Sequence, residues 1–216
     1  MVRRAFDLSV YLVTDPILCA GYGLVETALA AVQGGATLVQ LRDTVAYGRA
    51  LVEHARALKT ALQPHGVPLI INDRIDVALA ADADGVHVGQ SDIHPADARA
   101  LIGPDRILGL SARDPAEIAA ADPAIVDYLG IGPIFAVNPQ TKANASAPLG
   151  IAGFGERCRS SALPVVAIGG IQAVHAADLI KEGAAGVAVV SAICGKPEPE
   201  LAAKALAAAV HAAKAR

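Results

Sequence analysis

Val165-Val166-Ala167-Ile168-Gly169-Gly170-Ile171 is the stretch on which the fold turns. A short apolar run rich in β-branched residues stops at a glycine pair, and a helix-like segment at 172–182 follows, ending at Gly183. An apolar run without polar alternation marks a strand covered on both faces, as in a parallel sheet. Working outward, the same unit recurs. Strands are expected at 10–14, 37–42, 67–72, 85–88, 107–110, 128–131, 165–168 and 187–190. Helix-like segments lie between most of them. Residues 24–33 run into Gly34-Gly35, a C-cap signal. Residues 48–62 carry Leu51, Val52, Ala55 and Leu58 on one face. Shorter segments at 75–81, 95–102 and 115–121 follow; the last two begin with proline, tolerated at the first helical position. Residues 198–213 close the chain. Strand and helix alternating in this way predict an α/β protein, a single (β/α)8 TIM barrel over residues 1–216. An open doubly wound sheet is the alternative. It would place a glycine-rich turn after the first strand, where Asp15-Pro16 stands instead. The polar, proline-containing segment 136–148 after strand six is long for a connection and is expected to lie over the active site.

Composition narrows the function. The chain has 216 residues, 54% of them hydrophobic and 18% charged, which excludes a disordered chain. A net charge of −3 gives no global field for nucleic acid or anionic lipid, and 3% aromatics argue against base-stacking platforms. Cys19, Cys158 and Cys194 are odd in number and widely spaced, so neither a disulfide framework nor a zinc site is expected. Arg3 and Arg4 precede an apolar run broken by Asp7 and Asp15, so no signal peptide is expected either. No uncharged apolar run is long enough to span a membrane. A reducing, cytoplasmic setting follows as the expectation, and a homo-oligomer is left open.

In such a barrel the chemistry sits at the C-terminal ends of the strands. Strand two ends Gln40-Leu41-Arg42. Gln40 and Arg42 share a face, and an inward guanidinium suits phosphate, although a surface arginine at a strand end is the plain alternative. Asp73 follows strand three and Asp92 follows strand four. Each alone reads as a cap or turn residue; as a pair beside Arg42 they suit Mg²⁺, which is held by one or two carboxylates plus substrate phosphates. Gly169-Gly170 after strand seven and Val190-Ser191 after strand eight, where a short helix could start, match the recurrent phosphate site of this fold. Ordinary turns are the alternative there. Ser111, after strand five, is placed to hydrogen-bond a substrate. Lys142 in the long segment is a candidate mobile cation. His87, within strand four, reads as a satisfied core histidine. Two anion pockets, one metal-assisted and one metal-free, suggest a transferase joining two phosphorylated small molecules.

These motifs, in order from about residue 10 to 193, resemble thiamine-phosphate synthase. They include Gln40-Leu41-Arg42-Asp43, Ile71-Asn72-Asp73-Arg74, His87-Val88-Gly89-Gln90-Ser91-Asp92, Gly109-Leu110-Ser111, Gly132-Pro133-Ile134-Phe135, Thr141-Lys142, Ile168-Gly169-Gly170-Ile171 and Val190-Ser191-Ala192-Ile193. The resemblance implies that a hydroxymethylpyrimidine diphosphate joins a carboxythiazole phosphate, giving thiamine phosphate, pyrophosphate and CO₂. It implies that Gln40, Leu41, Arg42, Asp43, Thr44, Asn72, Ser111 and Lys142 surround the pyrimidine diphosphate, with Arg42, Ser111 and Lys142 catalytic. Asp73 and Asp92 would hold Mg²⁺. Gly170, Val190 and Ser191 would bind the thiazole phosphate, beside Pro139, Gln140 and Thr141. Two departures stand out: Thr44 occupies a position where the family usually has lysine, and the loop 135–142 is about two residues longer, with Pro139 in place of a threonine. They keep a non-catalytic phosphate-ligand binding barrel in view; a second alternative, a thiazole tautomerase of the same barrel family, is opposed by the retained Asp73, Asp92 and Ser111.

Overall fold

The computed structural model describes residues 5–137 and 146–215; Pro139, Gln140, Thr141 and Lys142 lie outside the described residues. Among the described residues, eight parallel strands pair in sequence order into a closed barrel. They are β1 (Val10–Val13), β2 (Leu38–Leu41), β3 (Leu69–Asn72), β4 (Gly85–Val88), β5 (Ile107–Ser111), β6 (Tyr128–Ile131), β7 (Val165–Ile168) and β8 (Gly186–Val189). The ring closes where Tyr11 of β1 aligns with Leu38 on one side and Ala188 on the other. Around it lie α1 (Pro16–Cys19), α2 (Leu24–Gln33), α3 (Gly48–Leu62), α4 (Ile75–Ala80), α5 (Pro95–Ile102), α6 (Pro115–Ala120), α7 (Gly150–Ser160), α8 (Ala176–Lys181) and α9 (Pro199–Lys214).

The strands read as apolar throughout because both of their faces are covered. Outward residues such as Leu12, Val39, Leu41, Ile71, Leu108 and Leu129 belong to the layer under the helices. Inward residues, among them Tyr11, Leu38, Ile70, Ile107, Tyr128 and Val166, fill the bore. The bore is therefore a packed core, and a cavity opens at its mouth. Helix α3 shows the matching pattern: Leu51, Ala55, Leu58 and Leu62 form its buried stripe. Gly35, after α2, adopts φ 103°, the left-handed geometry that a glycine C-cap supplies.

Some boundaries differ from the sequence reading. Strand β8 begins one residue earlier than expected. No helix starts after it: the Cys194 N–H donates to the Val190 carbonyl at 2.8 Å, and the chain then leaves through Gly195 at φ 75°. A single closed turn therefore stands where a helix start was expected. Segment 172–182 splits into a 3₁₀ turn (Ala173–His175) and α8. Helices α1 and α7 carried little signal. The first is one turn long, and the second contains three glycines, Gly150, Gly153 and Gly155, with low helix propensity.

A repeated clamp ties the N-terminal end of the barrel together. Asp84 immediately precedes β4; its carboxylate accepts the Leu69 N–H of β3 at 2.8 Å and Lys59 of α3 at 2.7 Å. Asp127 immediately precedes β6; it accepts the Leu108 N–H of β5 and the Arg99 guanidinium of α5, each at 2.7 Å. Each aspartate thus binds its own strand to the preceding strand and to an outer helix. Asp127→Ala leaves a mostly buried guanidinium and a strand-end N–H short of an acceptor. Breaking such a pair by removing one partner costs about 3–5 kcal/mol. Urea unfolding is expected to show that loss as a lower midpoint with an unchanged slope.

Candidate active site

The C-terminal ends of the strands open onto a cavity of about 670 Å³ that reaches from Gln40 and Arg42 across to Gly170 and Ser191. Alternation along β2 points Gln40 and Arg42 into it and sends the Leu41 side chain into the layer under the helices. Arg42 is fixed from both ends. Its N–H donates to Thr14 Oγ1 at 3.0 Å, and its Nη1 lies 3.5 Å from Asp15 Oδ2. Asp15 is itself positioned by capping α1, accepting the N–H groups of Ile17 at 3.1 Å and Leu18 at 3.0 Å. Asp43 turns back onto its own loop: it accepts the N–H groups of Val45 and Ala46 and faces His54. Burial works against its charge, but those N–H groups and His54 outweigh it and hold the carboxyl below the usual range. Thr44, next to it, is exposed.

Asp73 and Asp92 are brought together. Asp73 takes φ 60°, uncommon outside glycine, and accepts Asn72 Nδ2 at 2.6 Å. Asp92 accepts the Gly89 N–H at 2.7 Å. Burial, and after it the facing Asp92 carboxylate, raise the Asp73 pKa to about 6, against the opposing pull of Asn72 and Arg42. Neither aspartate caps the helix that follows it. Helix α4 starts without a side-chain cap, and α5 is capped by His94. Capping therefore accounts for neither residue, whereas Asp92 does hold a turn, its own N–H donating to the Gly89 carbonyl at 3.3 Å. Among the described residues no third His, Cys, Asp or Glu joins the pair in a metal-ligand cluster. Two mutually repelling carboxylates at an open mouth fit a cation that takes its remaining ligands from water and a phosphorylated substrate, as Mg²⁺ does.

Across the cavity the chain supplies backbone donors. Among the described residues, the N–H groups of Gly170, Ile171, Ser191 and Ala192 have no acceptor within the protein. Gly170 has φ 68°, and a Cβ there would stand 2.8 Å from Phe135 Cβ. The glycine pair lets the loop after β6 dock, with Ile134 N–H on the Ile168 carbonyl and Phe135 N–H on the Gly169 carbonyl, each at 3.0 Å. Unsatisfied N–H groups from two adjacent loops make an anion nest.

The sequence profile described as thiamine monophosphate synthase matches residues 10–193. The chain belongs to the thiamine monophosphate synthase family. A thiamine-phosphate synthase from Xanthobacter autotrophicus is 61% identical over 98% of this chain and 99% of its own length. One from Azorhizobium caulinodans is 54% identical over 93% and 94%. Among solved structures, a thiamine phosphate pyrophosphorylase from Pyrococcus furiosus superposes with a TM-score of 0.85 at 33% identity, covering 95% of this chain and 96% of that one.

Set against the family's synthase motifs, the structure brings Gln40, Arg42, Asn72, Ser111, Gly170, Val190 and Ser191 to one cavity, with Asp73 close to Arg42 and Asp92 facing Asp73. It does not bring Asp43, Thr44 or the Leu41 side chain there. Three groups were not singled out from the sequence. Tyr11 lines the cavity floor, and Asp15 orients Arg42. Arg113 reaches from the end of β5 to the Ala147 carbonyl at 2.7 Å, pinning the far end of the long segment. The signal for Tyr11 was its inward register on a strand in a chain with only four tyrosines. Asp15 showed itself only as a carboxylate before Pro16. Because Asn caps helices about as well as Asp, Asp15→Asn is expected to keep most of the stability that Asp15→Ala loses, about 1–2 kcal/mol. Paired urea melts of the two variants check this, and equal losses would contradict the capping role.

Proposed function

We propose that the protein joins hydroxymethylpyrimidine diphosphate to carboxythiazole phosphate, forming thiamine phosphate, pyrophosphate and CO₂ at this cavity. The observation that carries the reading is the pairing of two different anion sites on one barrel mouth. A guanidinium and two carboxylates stand on one side, and free backbone N–H groups stand on the other. The relatives named as synthases support it, and nothing favours the tautomerase or the non-catalytic barrel. The Asp73–Asp92 pair has no use in a barrel that handles only the thiazole phosphate.

Arg42 would bind the diphosphate and meet the charge that grows on it as the carbon–oxygen bond breaks. Asp15 holds the guanidinium ready for this, and preorganised charge of this kind is often the largest part of catalysis. Asp73 and Asp92 would hold Mg²⁺, which when bound supplies further positive charge to the leaving pyrophosphate. Ser111 would hydrogen-bond the pyrimidine diphosphate. Gln40 and Asn72 would orient the pyrimidine. Lys142, by the family resemblance, adds a second cation. The N–H groups of Gly170 and Ser191 would fix the thiazole phosphate, so that the ring nitrogen faces the methylene carbon as pyrophosphate departs. That nitrogen carries its own lone pair, so no general base is required. Free thiols at Cys19, Cys158 and Cys194 suit a reducing, cytoplasmic compartment. Among the described residues no helix is long and apolar enough to cross a membrane.

Pyrophosphate release that requires both substrates and Mg²⁺ is the expected result; none from the wild-type protein at saturation would overturn the reading. Asp92→Ala is expected to lower turnover at least about tenfold, since a metal-assisted leaving group is worth several kcal/mol. Calorimetric affinity for the thiazole phosphate should not change in that variant. Thr44→Lys restores a cation to the rim, and charge-assisted hydrogen bonds are roughly twice as strong as neutral ones. Steady-state kinetics are expected to show a gain of up to about tenfold in kcat/KM for the diphosphate alone.

A further inference from the structure

The cavity floor contains an unbroken chain of polar groups. Gln40 Nε2 donates to Tyr11 Oη at 2.6 Å. Tyr11 Oη lies 2.9 Å from Tyr128 Oη, and Tyr128 Oη lies 3.0 Å from His87 Nδ1. His87 Nε2 then lies 2.9 Å from Ser111 Oγ. The two phenols are fully buried. Burial pushes both of their pKa values well above that of a free tyrosine, so each keeps its proton. The chain occupies space made for it. A Cβ on Gly109 would overlap both the Tyr128 ring and His87, and one on Gly130 would stand 3.2 Å from His87.

We propose that this chain runs in one direction, from Gln40 through Tyr11, Tyr128 and His87 to Ser111, and so makes Ser111 an outward hydrogen-bond donor. The inference rests on the synthase reading for its consequence, though not for its geometry. Tyr11 Oη accepts from the Gln40 amide, so its own proton goes to Tyr128. Tyr128 in turn donates to His87 Nδ1. An imidazole that accepts at Nδ1 carries its proton on Nε2 and gives it to Ser111 Oγ. The serine hydroxyl, already accepting from within the floor, is left with its proton for the cavity, where the diphosphate oxygens need donors. The opposite direction would turn the Ser111 proton inward and face an anion with lone pairs. It would also require the Gln40 amide to present its oxygen to Tyr11. Tyr11, Tyr128 and His87 thus act as positioning residues: none has to touch the reacting atoms, yet together they set what Ser111 offers.

The tautomer of His87 is the direct test. Ring nitrogen–proton NMR of uniformly ¹⁵N-labelled wild-type protein without substrate, with the His87 signals assigned through their loss in His87→Gln, is expected to show Nε2 protonated and Nδ1 bare. A proton on Nδ1 overturns the proposal. Tyr128→Phe, which removes one hydroxyl, is expected to lower kcat about tenfold and leave KM for the thiazole phosphate unchanged. In a Ser111→Ala background the same substitution should cost almost nothing further; fully additive losses overturn the proposal. Should Tyr128→Phe fold poorly, Tyr11→Phe interrupts the chain one step earlier and is expected to show the same non-additivity. Absence of pyrophosphate release from the wild type would instead defeat the synthase reading, and the tautomer measurement would still decide the direction of the chain.

Discussion

Closure of a small parallel barrel leaves little room inside, and the rest of this structure follows from how that room is shared. Each inward position must be filled, and a large side chain on one strand requires a small one beside it. Tyr128 lies over Gly109, and His87 fits because Gly109 and Gly130 carry no side chain. The polar atoms so buried must be satisfied by one another, since an unpaired buried donor or acceptor costs about 1–3 kcal/mol. Among the described residues no buried side-chain nitrogen or oxygen lacks a partner. The floor is therefore both packing and wiring, and the groups at its two ends, Gln40 and Ser111, face the cavity.

The same closure sorts stability and chemistry to opposite ends. At the N-terminal rim Asp84 and Asp127 are each engaged by a strand N–H group and a helix cation. At the C-terminal rim the polarity is poised rather than quenched. Asp73 and Asp92 face each other, Arg42 is oriented by Asp15, and N–H groups after β7 and β8 have no acceptor among the described residues. In the proposed reaction, charge concentrated on one side and neutral donors on the other would separate a diphosphate from a monophosphate ester. The diphosphate brings enough charge to share with a cation, whereas the monoester is well served by backbone dipoles.

The fold was legible in the sequence because parallel strands covered on both faces leave continuous apolar runs, each closed by a turn signal, as at Ile168-Gly169-Gly170. What escaped lies where the local signal is weak. Helix α7 is broken up by glycines, α1 is one turn long, and the segment after β8 closes only a single turn before Gly195. Within the site, the strand-end residues Gln40, Arg42, Asp73 and Asp92 could be read because their types suit phosphate and metal. The partners that orient them could not. His87 looked like a satisfied core histidine, and it is satisfied, but by Tyr128 and Ser111 from strands β6 and β5. Such pairings depend on register across the barrel, which no local stretch of sequence encodes. The departure at Thr44 falls on the exposed rim, away from the cavity lining, and the one around Pro139 lies outside the described residues.

In the proposed reaction, one mouth holds two phosphorylated groups at two chemically different sites. A crystal structure grown with thiamine phosphate, pyrophosphate and Mg²⁺ tests it most directly. Pyrophosphate is expected against Arg42, with the metal ion bridging it to Asp73 and Asp92, while the phosphate of thiamine phosphate rests on the N–H groups of Gly170 and Ser191. Both phosphates on the same side of the cavity, or a metal ion bound away from the two aspartates, would contradict the account.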